Sequence, residues 1–423
     1  MASAGGCVKY KIILKGPVLT RSGYGEQTRF ALRALRTRPE LFDIYIQPLQ
    51  WGKTSWLSDQ SEERQFIDNM IEKTIGFVQQ GGKFDISLQV TIPNEFEKIA
   101  TVDIGYTAGI ETTACSAEWL QKINDIVDKV IVVSSFSKMA FLNSEYSGEI
   151  NGTPVHLKLE KSIEHVNYAT KEYGELPDID INLDYDFNFL AVAQWGPRKN
   201  LINTVNWFIE EFHDDEIGLV LKSNYAKNSL IDREFMHHQL SAQIRQRWPD
   251  KTCKIYLLHG DMTEKEMHSL YRHPQIKAKL AIPHGEGFGL PIFEAAYNGL
   301  PIIATGWSGQ LDFLVDEEGK EHFYNVSYDI AQVPDEVVWE NVLIKESMWA
   351  YPRESSAKEQ MRKCYEEVKD SPRNLEYASA LRERFSKEKM YSKFVDSVAT
   401  CAPEQTIVSD MDEIESLFAE ANL

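Results

Sequence analysis

Two carboxylates frame a glycine-rich turn in the second half of the chain. Glu286 and Glu294 lie eight positions apart in HGEGFGLPIFEAAYNGLPIIAT (His284–Thr305), with two glycines, two aromatics and a proline between them. An ionised carboxylate only accepts hydrogen bonds, so it is a poor partner for phosphate and a good one for a vicinal diol. Glycine lets backbone N–H groups approach a ligand closely, and a helix N-terminus favours phosphate. The stretch therefore combines donors for an anion with acceptors for hydroxyl groups.

The surrounding elements make this placement concrete. AKLAIP (Ala278–Pro283) and PIIAT (Pro301–Thr305) read as successive strands, so the segment between them is the crossover of a βαβ unit. Its helix is predicted to begin at Pro291 and to stop at Asn298-Gly299. Gly287, Phe288, Gly289 and Leu290 then belong to the loop at the strand's carboxyl end and are candidate donor contacts. Glu294 is expected in the first helical turn, leaning back toward that loop, where it would hold a ribose diol. Glu286 would face whatever lies beyond the diphosphate. The ligand implied is a sugar nucleotide. The plainer alternative is a first-turn acid interacting with the helix dipole, worth ~0.3–1 kcal/mol.

The same strand-and-helix alternation runs through the chain. KYKIIL (Lys9–Leu14), FDISLQV (Phe84–Val90) and KVIVVS (Lys129–Ser134) read as strands, with helical patterns at Glu26–Arg36 and Ala117–Asp128. After an acidic stretch at Lys171–Asp186, a second series begins with FLAVAQ (Phe189–Gln194), IGLVLK (Ile217–Lys222) and KIYLLH (Lys254–His259). Helical patterns lie between them at Leu201–Phe212, Arg233–Arg247 and Thr263–Tyr271. The fold expected is α/β, with two Rossmann-like doubly wound domains facing a central cleft. The domains are expected at 1–175 and 187–375, with C-terminal helices over 376–423 packing back on the first domain. Ile407, Met411, Ile414 and Phe418 give the tail its helical spacing.

A chain of 423 residues with 43% hydrophobic and 26% charged residues fits a soluble globular protein of two or three domains. No apolar run approaches the ~20 residues that span a bilayer, and the start has no signal-peptide core, so a cytoplasmic protein is expected. The cysteines are scattered without CxxC, and there is no HExxH, which argues against a disulfide framework and a zinc site. Asp178-Ile179-Asp180 and Asp410-Met411-Asp412 lie in acidic linker and tail sequence and read as solvated acids. A net charge of −19 repels phosphate backbones unless a local basic patch intervenes. The one basic stripe is Arg29, Arg33 and Arg36, expected on one helix face. It reads either as a solvated face or as a holder of an anionic acceptor.

EGFGLPIFE resembles the Glu-x7-Glu signature of retaining glycosyltransferases with the GT-B fold, in particular glycosyltransferase family 4. AVAQWGPRKN (Ala191–Asn200), HGDMTEKEM (His259–Met267) and GWSGQLDFL (Gly306–Leu314) resemble that family in order and spacing. GPVLTRSGYG, PNEF (Pro93–Phe96), GIETT (Gly109–Thr113) and VVSSFS (Val132–Ser137) are similar to members from bacteria, phages and large viruses. The resemblance implies transfer of a sugar, with retention, from a nucleotide-diphosphate sugar to an acceptor hydroxyl. It implies no cofactor and no essential metal.

The resemblance assigns the donor diphosphate to Arg198 and Lys199, which follow Gly196-Pro197 at a strand's carboxyl edge. The family often has Gly-Arg where this chain has Ala193-Gln194, which shifts more of that duty to Arg198. Lys222 becomes a phosphate or base contact, and the Gly260–Met262 loop meets the nucleobase. Tyr24 and Gly25 stand at the cleft in the first domain. Glu111 takes the place of acceptor-side and sugar-side groups, or caps its turn; the histidine common there in the family is missing. The acceptor expected is a glycan or small molecule. DNA with a hydroxylated base is the alternative disfavoured by charge, and a non-catalytic sugar-nucleotide binder is another. For a phage or viral chain the location would be the host cytoplasm.

Overall fold

The computed structural model describes residues 9–403, apart from 53, 151–152 and 370–372. The predicted tail helix and Asp410-Met411-Asp412 lie outside these residues. In the first half, strands β1 (Tyr10–Gly16), β2 (Phe42–Pro48), β3 (Phe84–Val90), β4 (Ala100–Thr107) and β5 (Lys129–Val132) precede a hairpin of β6 (Tyr146–Ile150) and β7 (Thr153–Leu157). Strand β8 (Ser162–His165) completes a six-stranded sheet of order β2-β1-β3-β4-β5-β8. All its pairings are parallel. Helices α1 (Gly23–Leu35), α2 (Glu62–Gln79), α3 (Ala117–Ile126) and α4 (Ser135–Asn143) connect these strands. Each begins at a serine, Ser22, Ser61, Ser116 or Ser134, whose hydroxyl accepts a backbone N–H of the first turn.

The second half repeats the plan. Strands β9 (Asn188–Val192), β10 (Gly218–Lys222), β11 (Lys254–Leu258), β12 (Ile276–Ala281), β13 (Ile302–Thr305) and β14 (Tyr324–Val326) form a parallel sheet of order β11-β10-β9-β12-β13-β14. Helices α5 (Leu201–Glu211), α6 (Leu230–Arg247), α7 (Glu264–Arg272), α8 (Leu290–Tyr297) and α9 (Leu311–Leu314) link them. Helix α7 opens with a full capping box of Thr263 and Glu266. A hairpin of β15 (Tyr328–Gln332) and β16 (Met348–Pro352) and helices α10 (Glu354–Val368), α11 (Leu375–Arg384) and α12 (Lys387–Ala399) follow. Helix α12 lies on α1, with Phe394 edge-on to Phe30 at 5.4 Å. Among the described residues no helix is long and apolar enough to cross a membrane.

The architecture is therefore two doubly wound parallel sheets. In the second, strand order reverses between β9 and β12, and in the first between β1 and β3. Ligands bind such sheets at the carboxyl ends beside these switch points. The loop after β9 carries Arg198 and Lys199, and the loop after β12 carries Glu286.

Two expectations need correction. Helix α8 starts at Leu290 rather than Pro291, so Glu294 is its fifth residue and lies beyond the first turn. That removes the simple helix-dipole role, which fades within one turn. The three arginines do not form one free basic stripe: Arg29 and Arg33 are taken up within the protein, and only Arg36, at the C-cap of α1, is exposed. Arg29 is buried and donates to the Val18 and Thr20 carbonyls. Arg33 pairs with Glu26 at 2.9 Å and with Glu63 at 2.6 Å, and Arg36 stacks on Phe66 at 4.0 Å.

Candidate functional site

Glycine spacing sets the loop after β12. Gly289 has φ +91° and serves as N-cap of α8, and Gly299 at φ +86° ends that helix. Gly285 and Gly287 permit contact with the other half of the chain. A Cβ on Gly285 would meet the Glu111 carbonyl oxygen at 2.1 Å, and one on Gly287 the Ala108 carbonyl oxygen at 2.3 Å. The turn after β13 holds the loop from below. The Glu286 N–H donates to Ser308 Oγ at 2.9 Å, and the Gly309 N–H donates to the Glu286 carbonyl at 3.0 Å. Ser308 adopts φ +78° to do this. Sequence reasoning noted the Gly306–Leu314 motif but gave Ser308 no role.

Arg198, Lys199, Glu286 and Glu111 come together at the switch point. Arg198 bridges Glu111 at 2.9 Å and Glu286 at 3.2 Å, and also donates to the Gly285 carbonyl at 2.6 Å. Lys199 donates to Glu286 at 2.5 Å. Asn200 fixes the cation-bearing turn through its left-handed backbone at φ 54° and its bond to the Ile282 carbonyl. Burial opposes the charge on Glu286, but Lys199 and Arg198 outweigh it and hold its carboxyl below the usual range. Glu111 goes the other way, raised by burial with Glu286 adding to it, against Arg198. Burial and the neighbouring Arg198 lower Lys199.

Glu294 stands apart from this cluster. It accepts from the Tyr271 hydroxyl at 3.0 Å, and burial raises its pKa to about 7 against the opposing charge of Lys171. Around it close Glu26 and Arg33 of α1, Lys171 of the 166–187 segment, and Tyr297. The space left among them is about 10 Å³, room for one water molecule. Lys171 joins Glu26 at 2.7 Å and Glu264 of α7 at 2.8 Å, so acids and bases from both halves interlock here. Nothing in the local sequence around these residues marks that network.

Lys222 and Met262 form a third group. Lys222 donates to the Gly260 carbonyl, and Arg21 donates to the Met262 carbonyl at 3.0 Å. Ser55 donates to Asp261 at 3.1 Å, so this loop too meets the first half.

Tyr24 and Gly25 face inward. The Tyr24 hydroxyl bonds Thr107 at 2.8 Å, and a Cβ on Gly25 would meet the Thr20 carbonyl oxygen at 2.1 Å. The Phe288 ring is buried against Tyr168, Phe293 and Phe313, so only its backbone can face a ligand. Leu290 lines the enclosed space beside Glu294. Among the described residues no group of three or more His, Cys, Asp or Glu side chains is arranged to hold a metal ion.

No protein-family model and no curated protein matches the chain in sequence. Solved structures do match in fold. A sucrose-phosphate synthase from Thermosynechococcus elongatus superposes with a TM-score of 0.58 at 12% identity, covering 93% of this chain and 99% of that one. A glycosyltransferase from Rickettsia africae gives 0.56 at 12% identity, over 94% and 100%. The Anabaena protein HepE, solved in complex with UDP-glucose, gives 0.55 at 12% identity, over 92% and 100%. The chain is similar to these proteins over almost its whole length. Together with the two facing Rossmann-like sheets, they define its fold as the GT-B arrangement.

Proposed function

We propose that the chain is a glycosyltransferase that moves a sugar from a nucleotide-diphosphate sugar to an acceptor hydroxyl, with retention and without an essential metal. The observation that carries this reading is the convergence of Arg198, Lys199, Glu286 and Glu111 at the switch point of a GT-B fold. A donor diphosphate would exchange for the carboxylates on Arg198 and Lys199. As the sugar–oxygen bond breaks, those cations and the amides at the start of α8 would stabilise the charge left on the leaving group. Glu286, released from its cations, would accept from sugar hydroxyls, and Glu294 from the ribose diol. Lys222 and the Met262 backbone would border the base. Glu111, pushed toward its neutral form, would donate a hydrogen bond on the acceptor side. Retention follows from the motif resemblance to family 4.

The acceptor we favour is a glycan or small molecule. The chain's net charge is −19, and of the three arginines that could hold an anionic acceptor Arg29 and Arg33 are engaged within the protein, leaving Arg36 exposed. We read the enzyme as cytoplasmic and of bacterial, phage or large-virus type. The test is a thermal-shift screen of UDP-, GDP- and ADP-sugars, followed by donor turnover with and without EDTA. A ligand at ~100 times its dissociation constant adds ~2.7 kcal/mol, so the correct donor will stand out. Stabilisation without turnover selects a non-catalytic binder. Loss of turnover in EDTA with rescue by manganese overturns the metal-free step.

A further inference from the structure

Three arginines gather at the amino end of the second sheet, away from the switch point. Helix α7 ends at Arg272 and α8 at Tyr297, each just before the next strand, β12 or β13, begins. Helix α8 is eight residues long, so its end lies about 12 Å along the axis from the glycine loop. Arg272 donates through Nε to the Asn298 side-chain oxygen at 2.7 Å. Arg373 donates to the backbone carbonyls of Tyr271 at 2.9 Å, Asn298 at 3.2 Å and His273 at 3.3 Å. Arg382 of α11 donates to the Tyr297 carbonyl at 2.7 Å. All three guanidiniums are thus pinned to the Tyr297-Asn298 step.

Cations near a helix C-terminus serve its last carbonyls. Arg373 does this with both terminal nitrogens, but Arg272 and Arg382 do not. Among the described residues Arg272 engages only Nε and Arg382 only Nη2, so most of their N–H groups have no protein partner. Unlike Arg33 and Arg198, none of the three pairs with a carboxylate among the described residues. All three line one cavity of about 510 Å³, a size typical of small-molecule sites. Glu172 is the one acid on its wall, and Tyr173 and Asn298 add uncharged polar groups. Positive charge is therefore in excess here, in a chain of net charge −19. Burial, then Arg382, disfavours the charge on Arg272, and burial, then Arg272, disfavours it on Arg373.

We propose that this cavity binds a phosphate group, free or as a small monoester, at a site separate from the sugar-nucleotide site. A guanidinium presents parallel N–H donors that match two phosphate oxygens, and Arg272 keeps both terminal nitrogens for that purpose. The anion would relieve the repulsion among the three cations. It would also join α7, α8 and α11 at the end of α8 opposite the glycine loop, against Tyr173 of the 166–187 segment. The site does not depend on the reading of the chain as a transferase.

The test is arginine modification by phenylglyoxal in the wild-type protein, read residue by residue by mass spectrometry. Inorganic phosphate should slow modification of Arg272 and Arg382 while leaving the exposed Arg233 of α6 unchanged. Chloride at the same ionic strength should protect neither. Glycerol 3-phosphate acting at lower concentration than phosphate would support a monoester as the ligand; equal potency would support the free ion. Calorimetry with phosphate adds a second measurement. Arg272→Gln/Arg382→Gln retains Arg373 and its carbonyl bonds, and should bind one phosphate fewer per chain than wild type. Counting bound ions keeps this site distinct from any phosphate held by Arg198 and Lys199. Modification of Arg272 and Arg382 unslowed by phosphate, or slowed equally by chloride, would overturn the site. So would equal phosphate stoichiometry and affinity in wild type and the double variant. If that variant does not fold, the labelling of wild type decides alone.

Discussion

Two clusters of enclosed charge join the halves of this molecule, and they differ in how settled they are. Around α1, Glu26, Arg33, Lys171 and Glu264 interlock at 2.7 to 3.6 Å. Against the opposing effect of burial, Lys171 and Arg33 hold Glu26 and Glu264 low, and the two carboxylates hold Arg33 and Lys171 high. Every member is stabilised in its charged form. At the glycine loop, burial raises Glu111 and lowers Lys199, so two of the four members are pushed toward neutrality. A network that satisfies its own charges behaves as a clasp. One that leaves them partly unsatisfied is the kind found where a charged ligand binds.

The largest expected effect on stability follows from the clasp. Glu26→Ala leaves Arg33 and Lys171 enclosed with one carboxylate fewer, and breaking a buried pair costs ~3–5 kcal/mol. Denaturant unfolding at pH 7 should show that loss; unchanged stability would make the clasp an ordinary surface network. Acid should mimic it. Glu26 and Glu264 titrate below their unfolded value of 4.5, so their contribution is full above it and is lost as pH falls through the folded values.

Arg198→Ala probes the other cluster. Turnover of the sugar nucleotide should fall ~10²–10³, the scale of removing one donor to transition-state charge. Stability should suffer less than in Glu26→Ala, because Lys199 still pairs with Glu286 and burial favours the neutral form of Glu111. Comparable destabilisation with intact turnover would erase the contrast between the clusters. Glu294→Ala comes next. Loss of a charged acceptor for the ribose should weaken UDP binding by ~1.5–3 kcal/mol in calorimetry. Unchanged affinity would leave Glu294 as a structural partner of Tyr271.

The contrast was only partly legible beforehand. Strands buried on both faces read as apolar runs, so FLAVAQ and IGLVLK mark β9 and β10 to within two residues, while the alternation of FDISLQV marks β3. Strand β4 escaped notice because Asp103 interrupts its apolar run, although that carboxylate is fully buried and accepts from Ser87, Ile99 and Ala100. The glycine loop was legible because its residues act within a few positions of one another. The ion pairs were not. Arg33 meets Glu63 and Glu264 from segments far along the chain, and an arginine at helical spacing looks the same whether it faces water or a distant carboxylate.

The smallest effect tests whether the second cluster depends on close approach of the two halves. A Cβ on Gly285 would sit 2.1 Å from the Glu111 carbonyl oxygen, which is backbone and cannot rotate away. The two residues belong to loops of different sheets, so relief requires the loops to separate. Such overpacking costs ~1–3 kcal/mol. Separation also lengthens the reach from Arg198 to Glu111 while leaving Lys199 and Glu286, both in the second half, in contact. Gly285→Ala should therefore lower the unfolding midpoint and reduce turnover while sparing UDP affinity. Gly196→Ala is the control, since a Cβ there meets nothing within 4 Å and its φ of 179° is extended backbone open to any residue. If the two alanine variants behave alike, contact between the halves at Glu111 contributes nothing to the site.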